Sequence, residues 1–294
     1  IENLGSVKNQ GVDVEITTRN MINSFKWNTS FNFSTNKNTV QDIGGVDERI
    51  YTKSSMSWIL RKGEPMFSFY SYKMIGVFQN ADQITQLPHL AGTKPGNPIV
   101  KDVNGDGKID PNNDMVILGN FQPKVLLGMS NDLSWKKFDM SVFVQASLGG
   151  KIFNYEQQYY EGNTMGAMRR SLAINQWWSQ DEPGDGKTPA AALSQLSAFN
   201  ANTNYYIEDA SYLNFRNINL GYNLSTLVKT TGIRSLRVYT SVANLLIIKN
   251  KENHAYNPDG ATGGSVSGIN STPGYNVGTE PINRTIVFGV NVGF

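Results

Sequence analysis

The sequence predicts an all-β fold, an antiparallel segment of a membrane-spanning β-barrel, and three observations carry that prediction. Apolar and polar residues alternate over long stretches, the period-2 signature of strands with one apolar and one polar face. Short connections and long polar ones take turns along the chain, as they do where tight turns lie on one side of a membrane and long loops on the other. The closing stretch alternates as well and ends on an aromatic, Phe294.

Taken in order, Val12, Val14, Ile16 and Thr18 share one face of the first stretch, opposite Asp13, Glu15 and Thr17. After a turn over 19–24, Phe25, Trp27, Thr29, Phe31 and Phe33 alternate with Lys26, Asn28, Ser30, Asn32 and Ser34. A long hairpin is centred on Lys136-Lys137: Val125, Leu127, Met129, Leu133 and Trp135 lead in, and Phe138, Met140, Val142, Val144 and Ala146 lead out. Over 208–224 the apolar phase slips between Phe215 and Ile218, which predicts a β-bulge. Leu236, Val238, Thr240 and Val242 then alternate with Arg237 and Ser241. In the last stretch Arg284, Ile286, Phe288, Val290, Val292 and Phe294 oppose Thr285, Val287, Gly289, Asn291 and Gly293.

Turns near 20–23, 61–65, 136–137 and 225–233 are short, and the segments near 37–49, 79–121, 149–207 and 247–280 are long and polar. This predicts about nine strands. An open sheet leaves both edges unpaired, which lipid does not tolerate, so further strands are expected to complete a larger barrel. If the first strand runs toward the short turns, so does the ninth.

Composition narrows the function. A net charge of +2 in 294 residues excludes a basic nucleic-acid-binding surface or an acidic tail as the dominant feature. The absence of cysteine rules out disulfides and thiolate metal sites. No apolar run approaches the ~18 residues of a membrane helix, and a barrel strand needs none, because every second residue faces lipid. The opening Ile1-Glu2-Asn3-Leu4-Gly5 is neither a signal peptide nor a start, so the chain is expected to be a piece of a longer one.

Two segments are candidate sites. Asp102-Val103-Asn104-Gly105-Asp106-Gly107 opens like a calcium loop, with oxygens at alternating positions and a glycine for the sharp turn. Lys108 would add its carbonyl, Asp110 a carboxylate or a bridging water, and Asp114 a late acid, since Asn113 occupies the usual place of a bidentate one. The alternative is an Asx-rich turn without metal. The second segment, 149–207, is rich in rings. Tyr155, Tyr159, Tyr160, Trp177 and Trp178 are substrate-binding candidates alongside Phe153, because amphipathic rings suit sugars and peptide side chains alike. Packing is the competing role, with 165–178 as a short helix burying Leu172, Ile174 and Trp178. Trp135 and Phe138 flank a short turn, where an aromatic girdle is expected. His89 and His254 sit far apart without a nucleophile elbow, phosphate loop or zinc spacing, so no enzyme is predicted.

Several segments resemble the SusC/RagA-type TonB-linked outer-membrane transporters. They are Lys8-Asn9-Gln10-Gly11-Val12-Asp13-Val14-Glu15, Gly63-Glu64-Pro65 with Ser68 to Lys73, Gly76-Val77-Phe78-Gln79-Asn80, Asp102 to Asp110, and Leu118-Gly119-Asn120. Asp209 to Leu213, Asn219 to Tyr222, Asn244-Leu245 and Arg284 to Phe294 complete the ordered set, which spreads over nearly the whole chain. The resemblance implies that 1–294 is the C-terminal part of a barrel of roughly 22 strands, with the plug domain and N-terminal strands lying elsewhere. It also implies import of glycans or peptides across the outer membrane, a SusD-like surface lipoprotein as lid, and energy from TonB acting through the plug. From the residues alone, a soluble secreted β-rich glycan-binding module stabilised by calcium is the alternative, and a surface glycan hydrolase ranks below it.

Overall fold

The computed structural model describes residues 5–53, 56–161, 168–191, 203–228, 232–259 and 273–294, apart from the side chains of 53, 158–160 and 227. Parts of the three connections expected over 149–207, 225–233 and 247–280 lie outside the described residues.

Seven long strands form one antiparallel sheet in chain order: β1 (Ser6–Ile22), β2 (Phe25–Asp42), β3 (Val125–Trp135), β4 (Phe138–Leu148), β5 (Tyr212–Asn223), β6 (Ser235–Lys249) and β7 (Thr285–Gly293). Their register turns the sequence alternation into two continuous faces. Phe25, Trp135, Phe138, Tyr222, Val238 and Val290 stand in one cross-strand row beside the short turns. The next row of the same face holds Trp27, Leu133, Met140, Leu220, Thr240 and Phe288. Among the described residues nothing covers this face: Phe288 is 81% exposed, Val290 59% and Val12 56%. A contiguous apolar surface of this extent is what a barrel presents to lipid. Asn28, Asp132, Ser141, Asn219 and Ser241 pair across the opposite, polar face.

The connections sort as expected. Residues 23–24, 136–137 and 224–234 join strands at one end of the sheet, and 43–124, 149–211 and 250–284 join them at the other. β1 and β7 therefore both run toward the short-turn end. The bulge is also where the phase slip put it. Against β4 the register shift between Phe143 and Val144 leaves Arg216 as the extra residue, whereas against β6 the shift between Phe215 and Asn217 sets two residues, Asn244 and Leu245, opposite Arg216.

Three expectations change. The sheet has seven strands where about nine were expected. The turn near 61–65 does not belong to it. Glu48–Lys53, Met56–Arg61, Ser68–Tyr72 and Met115–Gly119 form a separate four-stranded sheet, because Ser68–Tyr72 is buried on both faces and a lipid-facing strand needs only one apolar side. β1 and β2 are also longer than the alternation suggested, leaving Asn23-Ser24 as the turn and extending into 37–42.

The long connections build a platform at their end of the sheet. It contains the four-stranded sheet and a three-stranded one ordered Ile207–Asp209, Lys151–Asn154, Tyr275–Asn276. It also holds the pair Met74–Val77 with Pro98–Val100 and helices α1 (Ala81–Gln86), α2 (Tyr155–Glu161) and α3 (Arg170–Asn175). Met56, Trp58, Phe69, Phe153, Tyr206 and Tyr275 form its buried core. Segments far apart in sequence are tied across it: Lys151 N donates to Asn120 O at 2.8 Å, Phe153 N to Gly274 O at 2.7 Å and Trp58 Nε1 to Pro273 O at 3.0 Å. The wall thus keeps an uncovered apolar face while the buried core sits in the loops.

Candidate functional site

A cavity of about 740 Å³ opens in this platform, lined by residues of 74–76, 151–175, 185–209 and 250–254. Helix α2 places Gln157 and Glu161 one turn apart on the same face, and Gln157 Nε2 donates to the Glu161 carboxylate. Both residues are only 6% exposed. Burial pushes the Glu161 carboxyl up from its ordinary value, against the opposing pull of Gln157, Arg169, Tyr206 and Tyr205. Burial, joined by the Glu161 charge, pushes the Tyr205 hydroxyl up as well.

The second buried acid is Glu208, on the strand Ile207–Asp209. It accepts from Asn154 Nδ2 at 3.2 Å and from the His254 backbone N at 2.8 Å, and pairs with His254 Nδ1 at 2.9 Å. These bonds strap the segment around His254 onto the three-stranded sheet. At the next position, burial works against ionising Asp209. Donation from Ser211 and the Lys151 ammonium at 3.3 Å outweigh it and hold the carboxyl below the usual range. Five acidic residues line the cavity against three lysines and arginines, in a chain whose overall charge is +2.

A smaller cavity of about 460 Å³ lies on the polar face of the wall near the short turns, beside Lys26, Asp132, Asp139, Arg237 and Tyr239. Arg237 of β6 lies across Gly221 of β5 to reach Asp139 of β4, with Nε 3.0 Å from Oδ1. A Cβ at Gly221 would stand 2.3 Å from Arg237 Nη2, so only a glycine leaves the path open.

The Asp102 loop is organised by its own amides. Asp102 accepts from Gly105 N at 2.6 Å and Gly107 N at 2.8 Å, Asn104 from Asp106 N at 3.2 Å, and Asp106 from Lys108 N at 2.9 Å. Asp110 accepts from Asn112 N at 2.8 Å. Asp114 is fully buried, accepting from Val103 N and Asp110 N, both at 2.8 Å. Among the described residues no group of three or more His, Cys, Asp or Glu side chains is gathered as a metal cage. These side-chain-to-amide bonds are of the Asx-turn kind.

No family model matches the chain. Among curated relatives, the TonB-dependent receptor P3 of Formosa agariphila is 32% identical over 308 residues, covering 100% of this chain and 29% of the relative. TonB-dependent receptor SusC of Bacteroides thetaiotaomicron is 28% identical over 250 residues, covering 84% of this chain and 24% of its own length. In fold, a structure of the RagAB peptide transporter superposes over 100% of this chain and 30% of that one, with a TM-score of 0.77 at 20% identity. The chain is a portion of a SusC/RagA-type TonB-linked barrel. It spans less than a third of the relatives it matches.

Within this SusC/RagA-type portion the predicted aromatics are scattered. Tyr155 stacks on Tyr275 at 5.1 Å, at the edge of the platform core. The Trp177 ring packs against Gly96 and its Nε1 donates to Gln79 O at 3.2 Å. Trp178 is 52% exposed, its Nε1 held by Ala173 O at 2.9 Å. None of these three lines the larger cavity. The side chains of Tyr159 and Tyr160 lie outside the described residues. A helix does form within 165–178, as α3, and buries Leu172 but neither Ile174 nor Trp178. Trp135 and Phe138 are half-exposed beside their turn, with Tyr222 set edge-on to Phe138 at 4.6 Å. Gln157, Glu161, Glu208 and His254 were missed as site residues. The Gln157/Glu161 spacing on one helical turn was a readable signal, whereas nothing in the sequence joins Glu208 to His254.

Proposed function

We propose that this chain serves nutrient import across the outer membrane, forming part of a TonB-dependent transporter's barrel wall and of the vestibule at its extracellular mouth. The observation that carries the reading is the division of the molecule: an uncovered apolar wall face, and an ordered polar platform confined to the long-loop end. The relatives support it by name, as TonB-dependent receptors. On this reading the chain is the C-terminal part of the barrel, and the plug that answers to TonB belongs to the longer protein. A SusD-like lipoprotein closes over the platform, and a glycan or peptide is the cargo. Transport of this kind is binding and gating, with no bond chemistry. The exposed ring of Trp178 is a candidate contact for cargo or lid.

An antibody against this chain, applied to fractionated envelopes of the source cells, tests the reading. The expected result is a band far larger than 294 residues in the outer membrane, co-precipitating a lipoprotein. A band in the soluble fraction would overturn it in favour of a secreted module.

A further inference from the structure

We infer that Trp135, Lys136 and Lys137, at the short-turn end of the wall, bind the headgroup of an anionic phospholipid. This rests on the import reading, which puts the apolar face of the wall in lipid. The first observation is an unused donor. Four of the five tryptophans give their indole N–H to a protein acceptor: Trp27 to Asn131, Trp58 to Pro273, Trp177 to Gln79 and Trp178 to Ala173. Trp135, 48% exposed in the apolar row, finds no acceptor for its Nε1 among the described residues. The second observation is where two cations are held. Lys136 has a φ of 56°, a conformation for which hairpin turns favour Gly or Asn. Its Nζ stands 4.7 Å from the centroid of the Trp135 ring, on the side of the wall that meets lipid. Lys137 Nζ donates to Thr226 Oγ1 of the next connection at 2.6 Å, which leaves two of its three N–H groups for another acceptor. The third observation is charge. In β3 to β7 and the short turns, the carboxylate side chains among the described residues are Asp132 and Asp139. Both lie beside the cavity on the polar face, and Asp139 is bound to Arg237. The apolar side of this rim therefore offers two ammonium groups and an indole N–H with no acid among them. A headgroup phosphate can accept from all three through charge-assisted bonds. A zwitterionic headgroup would bring an ammonium of its own against the two lysines, so the lipid that fits carries a net negative charge.

Native mass spectrometry on the full-length transporter, stripped of lipid in detergent, would titrate phosphatidylglycerol and phosphatidylethanolamine of identical acyl chains. The expected result is about tenfold tighter binding of phosphatidylglycerol. The double variant Lys136→Gly with Lys137→Gln should erase that advantage and leave the affinity for phosphatidylethanolamine unchanged. Glycine suits the positive φ at 136, so this variant is expected to melt no lower than the parent. Trp135→Phe keeps the ring and removes the N–H, and should weaken both lipids alike, about fivefold, because both carry the phosphate. Should the variants misfold, the wild-type protein still decides, since the preference must shrink as ammonium acetate is raised. Equal affinities for the two lipids, a preference that survives the double variant, or one indifferent to salt would overturn the inference. So would binding of neither lipid, or a Trp135→Phe variant that binds both as the parent does. Envelope fractionation judges the import reading separately.

Discussion

Burial raises the Glu161 carboxyl above its ordinary value, so between the unfolded and folded values the folded state holds a proton that the unfolded chain has lost. Stability contributed at this position therefore falls as pH rises through that window, and the charged form is disfavoured in the folded state above it. Glu161→Gln removes the titration. The variant and the parent are expected to melt together below the window and the variant to melt higher above it. A difference in Tm independent of pH would show that burial is not what sets this group. Asp114 makes a different argument. Its buried carboxylate answers two backbone N–H groups, of Val103 and Asp110, so Asp114→Ala should cost about 2–3 kcal/mol locally. Hydrogen exchange should speed at those two amides. Calcium at Asp102, Asn104, Asp106, Lys108, Asp110 and Asp114 remains a competing proposal. On the metal-free reading, in which the Asp102 and Asp114 carboxylates serve the loop amides alone, EGTA is expected to leave Tm unchanged. A rise of several degrees on adding millimolar calcium would establish the metal instead.

At the scale of the element, the wall strands were legible because lipid imposes one rule on every second residue. The exception inside that pattern is instructive. Asn131 interrupts the apolar phase of β3, and Trp27 Nε1 and Thr29 Oγ1 donate to its Oδ1 at 2.9 and 2.7 Å. Its cost is thus met by neighbours on the adjacent strand. The platform strands obey no such rule. Ser68–Tyr72 packs on both sides, so its sequence reads as an ambiguous apolar run that does not separate a platform strand from a wall strand. The cavity was less legible still, since Glu161, Glu208 and His254 meet only through folded loops. The wall rule yields a paired test on β7. Ile286 lies in the apolar row with Val242 and Val287 in the polar row with Ser241. Ile286→Arg should destabilise by about 2–4 kcal/mol near the bilayer midplane, and Val287→Arg by much less, read as the denaturant midpoint of the full-length protein in bilayers. Equal costs at the two positions would contradict the assignment of faces.

For the whole molecule, the decisive feature is that the sheet does not close. Among the described residues β1 pairs only with β2 and β7 only with β6, so each outer edge offers a row of N–H and C=O groups without a strand partner there. In water such an edge invites association. In hydrocarbon each unmet group costs several kcal/mol, a total that no side-chain contact along a single strand could offset. The platform makes the same demand from the other side, because its core draws residues from all three long connections and forms only when all three hairpins stand in register. Wall closure and vestibule assembly should therefore be one cooperative event. This chain refolded alone into detergent or bilayers is expected to give aggregates or edge-paired oligomers, without a heat-modifiable band on a semi-native gel. Supplying the remaining strands as a second polypeptide should restore that band and, with it, protection of the platform against protease. A monomeric, protease-resistant product from this chain alone would mean that the two edges can meet without further strands, and the larger barrel would then have to be given up.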